Sequence, residues 1–152
     1  MKILSDKKPI DVFLNASSIL SKAVEHTLGP KGSNTAVHTQ NFYNIINDGK
    51  SIVEPISSLD AEIAPALETL KQAAFETNRK AGDGTTSTIV LMHQLLKGIR
   101  DELENTEPVT VANILLDTET KLQELIKENK TIIDNKLYES VAKVSLRVIS
   151  LF

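Results

Sequence analysis

The residues best suited to chemistry lie in one short stretch, 81–88, which reads AGDGTTST. Gly82 can end a helix there, since glycine readily takes the left-handed conformation. The hydroxyl residues that follow can cap the unpaired N–H groups of the next helix. A helix N-terminus favours phosphate, Gly84 lets an anion approach the backbone, and Asp83 offers an oxygen that suits Mg²⁺ beside phosphate. The stretch therefore predicts either a magnesium–phosphate corner or a capped corner between helices with a solvated aspartate.

Two further stretches have turn chemistry, 27–32 (TLGPKG) and 47–49 (NDG). The first follows an amphipathic helix, and its backbone amides could lie along phosphates; it could equally be a helix-to-strand turn with Lys31 exposed. The second follows a short apolar strand. Asp48 there could be a second acidic group near a metal–phosphate centre, or an Asx-turn residue. The residues alone leave both alternatives open for each stretch.

The elements that must position these stretches are mostly helical. Apolar residues recur every three to four positions and predict amphipathic helices, whereas two β-prone runs separated by polar residues predict a small hairpin. The predicted long helices cover 10–27, 63–77, 89–103 and 111–126, with short helices over 51–56 and 135–144 and strands over 35–39 and 43–46. Asp60 is expected to cap the second long helix, and Gly98 to mark a close helix contact. The prediction is one mainly α domain with a small hairpin.

Composition excludes several classes of protein. The chain has 152 residues, 41% of them hydrophobic and 24% charged, with no cysteine and a net charge of −3. This suits a soluble globular domain with a core, without disulfides, cysteine-based zinc or an electrostatic nucleic-acid surface. No apolar run reaches the roughly 20 residues that span a bilayer, and the charged start differs from a signal peptide. We therefore expect a cytoplasmic protein with neither nucleic acid nor membrane as partner.

Other catalytic motifs do not occur in the sequence. There is no Walker A sequence, no H-E-x-x-H spacing and no G-x-S-x-G elbow. His93 lies near the apolar face of its helix, where a histidine satisfied within the core is expected rather than a metal ligand. Enzymes of those classes are not predicted.

TLGPKG, a DG turn after a hydrophobic strand, and AGDGTT, in this order and spacing, resemble the nucleotide-site motifs of the ring chaperonins, mainly the group I (GroEL-type) 60-kDa family. The resemblance runs from about Lys2 to about Val144. It implies that 1–144 form the N-terminal limb of an equatorial ATP-binding domain, a helical bundle with a small β-hairpin. It also implies that 145–152 are a divergent tail where the family enters its intermediate domain, and that the C-terminal equatorial limb is missing.

The family's site residues carry over to matching positions. Asp83 would hold Mg²⁺, Asp48 would take part in hydrolysis, and Thr27 would lie near K⁺. The residues implied to contact ATP are Thr27, Leu28, Gly29, Pro30, Asp83, Gly84, Thr85, Thr86 and Ser87. Two positions depart from the family's usual pattern: Ser87 stands where the family usually has a third threonine, and Asn47 precedes the DG turn where group I usually has lysine. Asn47 removes one cation from the phosphate region, although group II chaperonins carry asparagine there too.

The resemblance implies a chaperonin-like ATP-binding protein related to ATP-dependent protein folding, as a truncated form without full folding activity. The family's general-base aspartate belongs to the missing limb, so hydrolysis by this chain alone is not expected. Homo-oligomers or chaperonin subunits are the expected partners, with unfolded client proteins in the full family. One alternative is a non-catalytic oligomerising or adaptor module. Another is that a second chain supplies the missing limb and restores an ATPase.

Overall fold

The computed structural model describes residues 8–29, 32–39, 42–130 and 137–140 of the chain. It divides into two compact units, Met1–Glu107 and Pro108–Phe152. Helices make up most of the described residues, and the strands form one antiparallel pair. The predicted mainly α fold with a small β-hairpin is confirmed.

The first unit contains the three stretches singled out above. Its elements are α1 (Pro9–Val24), a single 3-10 turn (Glu25–Thr27), β1 (Thr35–Thr39), β2 (Phe42–Ile46), α2 (Gly49–Val53), α3 (Ile63–Ala81) and α4 (Thr85–Glu102). Each predicted element of this unit is present, with small differences at the ends. Helix α2 begins and ends earlier than predicted, because Asp48 already caps it and Pro55 follows it closely.

A single hydrophobic core lies between α1, α3 and α4, with α2 packed against all three. The most buried position of α4 is Ile89, whose side chain is fully enclosed. The buried apolar residues are Val12, Ala16, Leu20, Val24, Ile52, Val53, Ala66, Leu67, Leu70, Ala74 and Ile89. Several of them are alanines, which let the helices approach closely. Truncating Leu20 or Leu67 here should cost about 2–5 kcal/mol.

The hairpin pairs Thr35 with Ile46 and Thr39 with Phe42 in antiparallel register. Val37 and Ile46 pack against the core, whereas Tyr43 and Ile45 are exposed. The chain leaves β2 directly into Asn47 and Asp48. The hairpin thus fixes where the start of α2 lies.

Two predictions about helix ends and contacts need correction. The side chain of Asp60 accepts a hydrogen bond from the backbone of Glu62 at 2.9 Å, and α3 begins only at Ile63. Asp60 therefore forms the turn before the helix rather than its cap. Gly98 lies in open space, with no heavy atom of the described residues within 4 Å of the position of a Cβ. Among the described helices it therefore marks no close contact.

The second unit is built on α5 (Pro108–Glu128), and residues 137–140 are also helical. The charged side of α5 is exposed, as predicted. Several of its large apolar residues are exposed too: Val109, Ile114, Leu115, Leu116, Leu122, Leu125 and Ile126. Asn135, the predicted cap of the last helix, and residues 141–152 lie outside the described residues. Among the helices that are described, none combines the length and apolarity needed to cross a membrane.

Candidate functional site

The corner between α3 and α4 is built from two glycines in the left-handed region. Gly82 has φ 78° and ends α3, donating its N–H to Asn78 at 2.7 Å. Gly84 has φ 95° and stands immediately before α4. Two positive φ angles so close together turn the chain sharply, and residues with a Cβ rarely adopt them. The predicted helix end at Gly82 is confirmed.

The start of α4 differs from the prediction that hydroxyl side chains would cap it. Gly84 occupies the capping position and has no side chain, while Thr85 is already helical, so no side chain caps the helix. The first backbone bond is from Thr88 N–H to the Gly84 carbonyl, at 2.9 Å. The N–H groups of Thr85, Thr86 and Ser87 make no hydrogen bond to another described residue. A helix N-terminus with free donors attracts anions.

Polar atoms at this corner are only partly satisfied. Asp83 is exposed, and its Oδ1 accepts a hydrogen bond from Gly84 N–H at 2.6 Å. Thr85 is 3% exposed, and its buried Oγ1 has no hydrogen-bond partner within the described chain. A buried hydroxyl without a partner costs about 1–3 kcal/mol. The Thr85 hydroxyl therefore remains unsatisfied within the described chain.

Asp48 reaches the same region from the start of α2. Its Oδ2 accepts hydrogen bonds from the backbone N–H of Ser51 at 3.0 Å and from the Ser51 hydroxyl at 2.8 Å. Asp48 is thus the N-cap of α2, which fits the structural alternative considered from sequence. Its other oxygen, Oδ1, has no hydrogen-bond partner among the described residues. The carboxylate can cap the helix and still offer one oxygen to a ligand.

The third stretch contributes Thr27, Leu28 and Gly29. Thr27 donates its hydroxyl proton to the Val24 carbonyl at 2.8 Å, and its Oγ1 lies 3.4 Å from that of Thr86. Gly29 has φ 83°. Pro30, the remaining residue of this stretch implied to contact ATP, lies outside the described residues, as does Lys31.

One cleft of about 270 Å³ joins the three stretches. It is lined by Thr27, Leu28, Gly29, Asn47, Asp48, Gly49, Asp83, Gly84, Thr85, Thr86 and Ser87. These include every described residue that the sequence singled out for nucleotide, metal or hydrolysis. The charged side chains of this described lining are the two aspartates, with no lysine or arginine. Nearby Lys50 has its Nζ 5.9 Å from the ring of Phe75 and does not line the cleft.

Sequence reasoning did not assign Gly49 to the site. Its backbone is buried, and a Cβ placed on it would lie 3.0 Å from the backbone nitrogen of Thr86 and closer still to the Thr86 hydroxyl. Gly49 therefore allows α2 to touch the start of α4. The DG pair was among the motifs that carry the family resemblance, but nothing in the sequence gave Gly49 itself a role.

Comparison with known proteins adds independent information. Residues 20–150 match the model of the TCP-1/cpn60 chaperonin family. A crystal structure of the chaperonin gp146 from the bacteriophage EL 2 (Pseudomonas aeruginosa), in presence of ATP-BeFx, is similar at 26% sequence identity and a TM-score of 0.57, over 62% of this chain and 17% of that chain. A second crystal form matches at 27% identity and a TM-score of 0.53, over 59% and 16%. The chain thus spans about a sixth of the length of the chaperonin it matches.

Proposed function

The chain belongs to the TCP-1/cpn60 chaperonin family, and from that premise we propose that its cleft binds Mg-ATP. The observation that carries the proposal is the pairing of a helix start bearing free N–H donors with two carboxylates across one cleft. The similar phage chaperonin was crystallised in presence of ATP-BeFx, which supports a nucleotide as the ligand.

The donor set fits a triphosphate. Within the described chain the N–H groups of Thr85, Thr86 and Ser87 and the buried Thr85 Oγ1 have no hydrogen-bond partner, and phosphate oxygens can supply partners for them. Gly84 adds no Cβ at the point of closest approach. These groups would hold the phosphates at the start of α4, where the helix dipole favours negative charge.

The same lining requires a cation between phosphate and protein. Asp48 and Asp83 place two negative charges in the cleft, without a basic side chain in its described lining. Phosphate beside two carboxylates is repelled unless a metal ion neutralises the charge, and Mg²⁺ suits carboxylate and phosphate oxygens. Asp83 would hold this ion. Thr27, whose hydroxyl oxygen keeps lone pairs after donating to Val24, would lie near K⁺.

For this chain alone, the proposal is that it binds Mg-ATP but does not hydrolyse it efficiently. Phosphoryl transfer needs stabilisation of charge on the transferring group and an oriented water. The described lining offers no arginine or lysine for the first. Asp48 could help orient a water through its free oxygen. Its catalytic role, and a role in protein folding, are proposed only where groups from outside these 152 residues complete the site.

The direct test is calorimetric titration of Mg-ATP into the purified chain, with light scattering to follow its association state. We expect saturable binding that disappears in EDTA and weakens at least about tenfold in Asp83→Asn. Asp117→Asn, on the exposed side of α5, makes the same charge change elsewhere and should leave binding intact. A folded chain that takes up no Mg-ATP, or binds it equally well as Asp83→Asn, contradicts the proposal.

The exposed apolar residues favour a second function, as an oligomerising or adaptor module. Leu91 and Leu95 are one turn apart on α4 and are 62% and 57% exposed. Side chains four positions apart on a helix are neighbours, and contiguous exposed apolar surface is where proteins tend to associate. The partner would be a second copy of this chain or a chaperonin subunit. Sedimentation of the double variant Leu91→Lys/Leu95→Lys tests this, and the variant should sediment as a smaller species than the wild-type chain. An unchanged sedimentation profile would rule out self-association through α4.

A further inference from the structure

Lys71 is a buried cation on α3 that the proposed nucleotide site does not use. Its side chain is 7% exposed, and Nζ donates to the carbonyls of Glu54 at 2.9 Å and Ile56 at 3.0 Å, and to Glu68 Oε1 at 3.0 Å. An ammonium group has three protons, and each has an acceptor here. Burying a charge is costly unless it is fully paired, so these three hydrogen bonds hold the Lys71 side chain in one defined position.

The hydrogen bonds from Lys71 to the two backbone carbonyls matter more than its ion pair with the Glu68 carboxylate. Glu68 is 55% exposed, and ion pairs open to solvent contribute little. Glu54 and Ile56 belong to the segment immediately after α2. A cation near the C-terminal end of a helix is favourable. Lys71 therefore anchors, from a neighbouring helix, the two carbonyls that lie just beyond the end of α2.

The other end of α2 lies at the cleft. Asp48 caps it through Ser51, and Gly49 is buried against Thr86. Between these ends the helix has five residues, a length of about 7.5 Å, and its Ile52 and Val53 are buried. So short a helix has little stability of its own and takes its position from what holds its ends.

We propose that Lys71 is a positioning residue for Asp48. By fixing the carbonyls beyond α2, it holds the helix along its axis, keeps Gly49 against Thr86 and keeps the Asp48 carboxylate at the cleft. The positioning rests on contacts within the chain. Its consequence for ligand affinity rests on the proposed function, namely that the cleft binds Mg-ATP.

The first test needs no nucleotide. Two-dimensional NMR of Lys71→Met, which keeps the length of the side chain but removes the charge and donors, should shift the amide signals of Asp48, Gly49 and Thr86 and speed hydrogen exchange at Ser51. Glu68→Gln, which spares both carbonyl bonds, and Lys80→Met, an exposed lysine of the same helix, should leave those signals in place. Changes in amide signals and hydrogen exchange that are confined to residues 52–56 would overturn the proposal. If Lys71→Met does not fold, Lys71→Arg is measured instead, and the same pattern is expected at smaller amplitude.

The second test couples Lys71 to Asp48. Lys71→Met should weaken Mg-ATP binding about fivefold or more in the wild-type background but less than twofold in Asp48→Asn, where asparagine can still cap α2. An equal loss in both backgrounds would mean that Lys71 only stabilises the fold, which contradicts positioning. If the wild-type chain binds no Mg-ATP, the proposed function fails, while the amide signals still decide the role of Lys71.

Discussion

Gly49 and Thr86 form the contact through which α2 meets the start of α4. A Cβ on Gly49 would lie 3.0 Å from the Thr86 backbone nitrogen, closer than side chains normally approach. The nitrogen concerned is one of the free donors of the proposed phosphate site. The geometry of that site therefore depends on a glycine that belongs to a different stretch of the sequence.

Gly49→Ala should loosen both the fold and the cleft. The added methyl group must push α2 away from α4, and overpacking of this kind costs about 1–3 kcal/mol. We expect a lower midpoint in urea unfolding and, in calorimetry, weaker Mg-ATP binding. The matched control is Gly98→Ala, where the added Cβ meets open space inside a helix. That change should raise stability by about 0.5–1 kcal/mol and leave binding unaltered. If both substitutions changed the stability in the same direction, the tight contact between Gly49 and Thr86 would be contradicted.

Asn47→Lys should strengthen nucleotide binding. Asn47 lines the cleft, whose described charged side chains are two aspartates, so a lysine there would supply a missing cation. A gain of about 1 kcal/mol, or fivefold in affinity, is expected at a partly exposed site, with a weaker dependence on Mg²⁺. Calorimetry at several magnesium concentrations measures both. Asn105→Lys changes the net charge equally beyond the far end of α4, and an equal gain there would assign the effect to overall charge.

The sequence predicted the helical elements of the first unit because their apolar periodicity is strong. It was less successful at the buried faces. In α1 the large Phe13 and Leu14 are only half-buried, whereas the small Ala16 is fully enclosed. Large apolar residues dominate a periodicity argument, but small residues fill the closest helix contacts. Lys71 was missed for a related reason: a lysine at an inner position reads as solvent-exposed until two distant carbonyls are seen to bind it.

For the site, the residues were predictable but their arrangement was not. Asp48 and Asp83 were both chosen from turn chemistry and lie in one cleft. That Asp48 caps α2 while Gly84 leaves α4 uncapped depends on backbone angles near two glycines, which allow several conformations. Local sequence suggests which residues can bind phosphate, and the tertiary structure decides which of their donors remain free.

Ser17→Ala should destabilise the contact between α1 and α4. Ser17 donates its only hydroxyl proton to the Leu14 carbonyl at 2.9 Å, so at 3.0 Å it must accept from Nδ1–H of His93. Loss of the hydroxyl leaves that half-buried donor unpaired at a cost of about 1–3 kcal/mol, measurable by urea unfolding. ¹⁵N NMR of the wild-type chain should find the proton of neutral His93 on Nδ1. Ser57→Ala, on an exposed loop, should be neutral, and a proton on Nε2 instead would refute the assignment.

Thr85→Val should change stability and binding in opposite directions. Thr85 is 3% exposed and its Oγ1 has no partner in the described chain, so replacing the hydroxyl by a methyl group of similar size removes a buried unsatisfied atom. The free chain should gain about 1 kcal/mol in urea unfolding. Mg-ATP should bind more weakly, because the proposed partner of that hydroxyl is a phosphate oxygen. A loss of both stability and binding would mean that the Thr85 hydroxyl has a hydrogen-bond partner within the fold, which contradicts the expectation.

Thr27→Val is the control that separates these possibilities. It makes the same chemical change at a hydroxyl that already donates to Val24, at 2.8 Å. Stability should therefore fall with Thr27→Val and rise with Thr85→Val, while both weaken binding. Opposite stability changes from one substitution type at two residues of one cleft are expected only if the Thr27 hydroxyl has a partner in the free chain and the Thr85 hydroxyl has none.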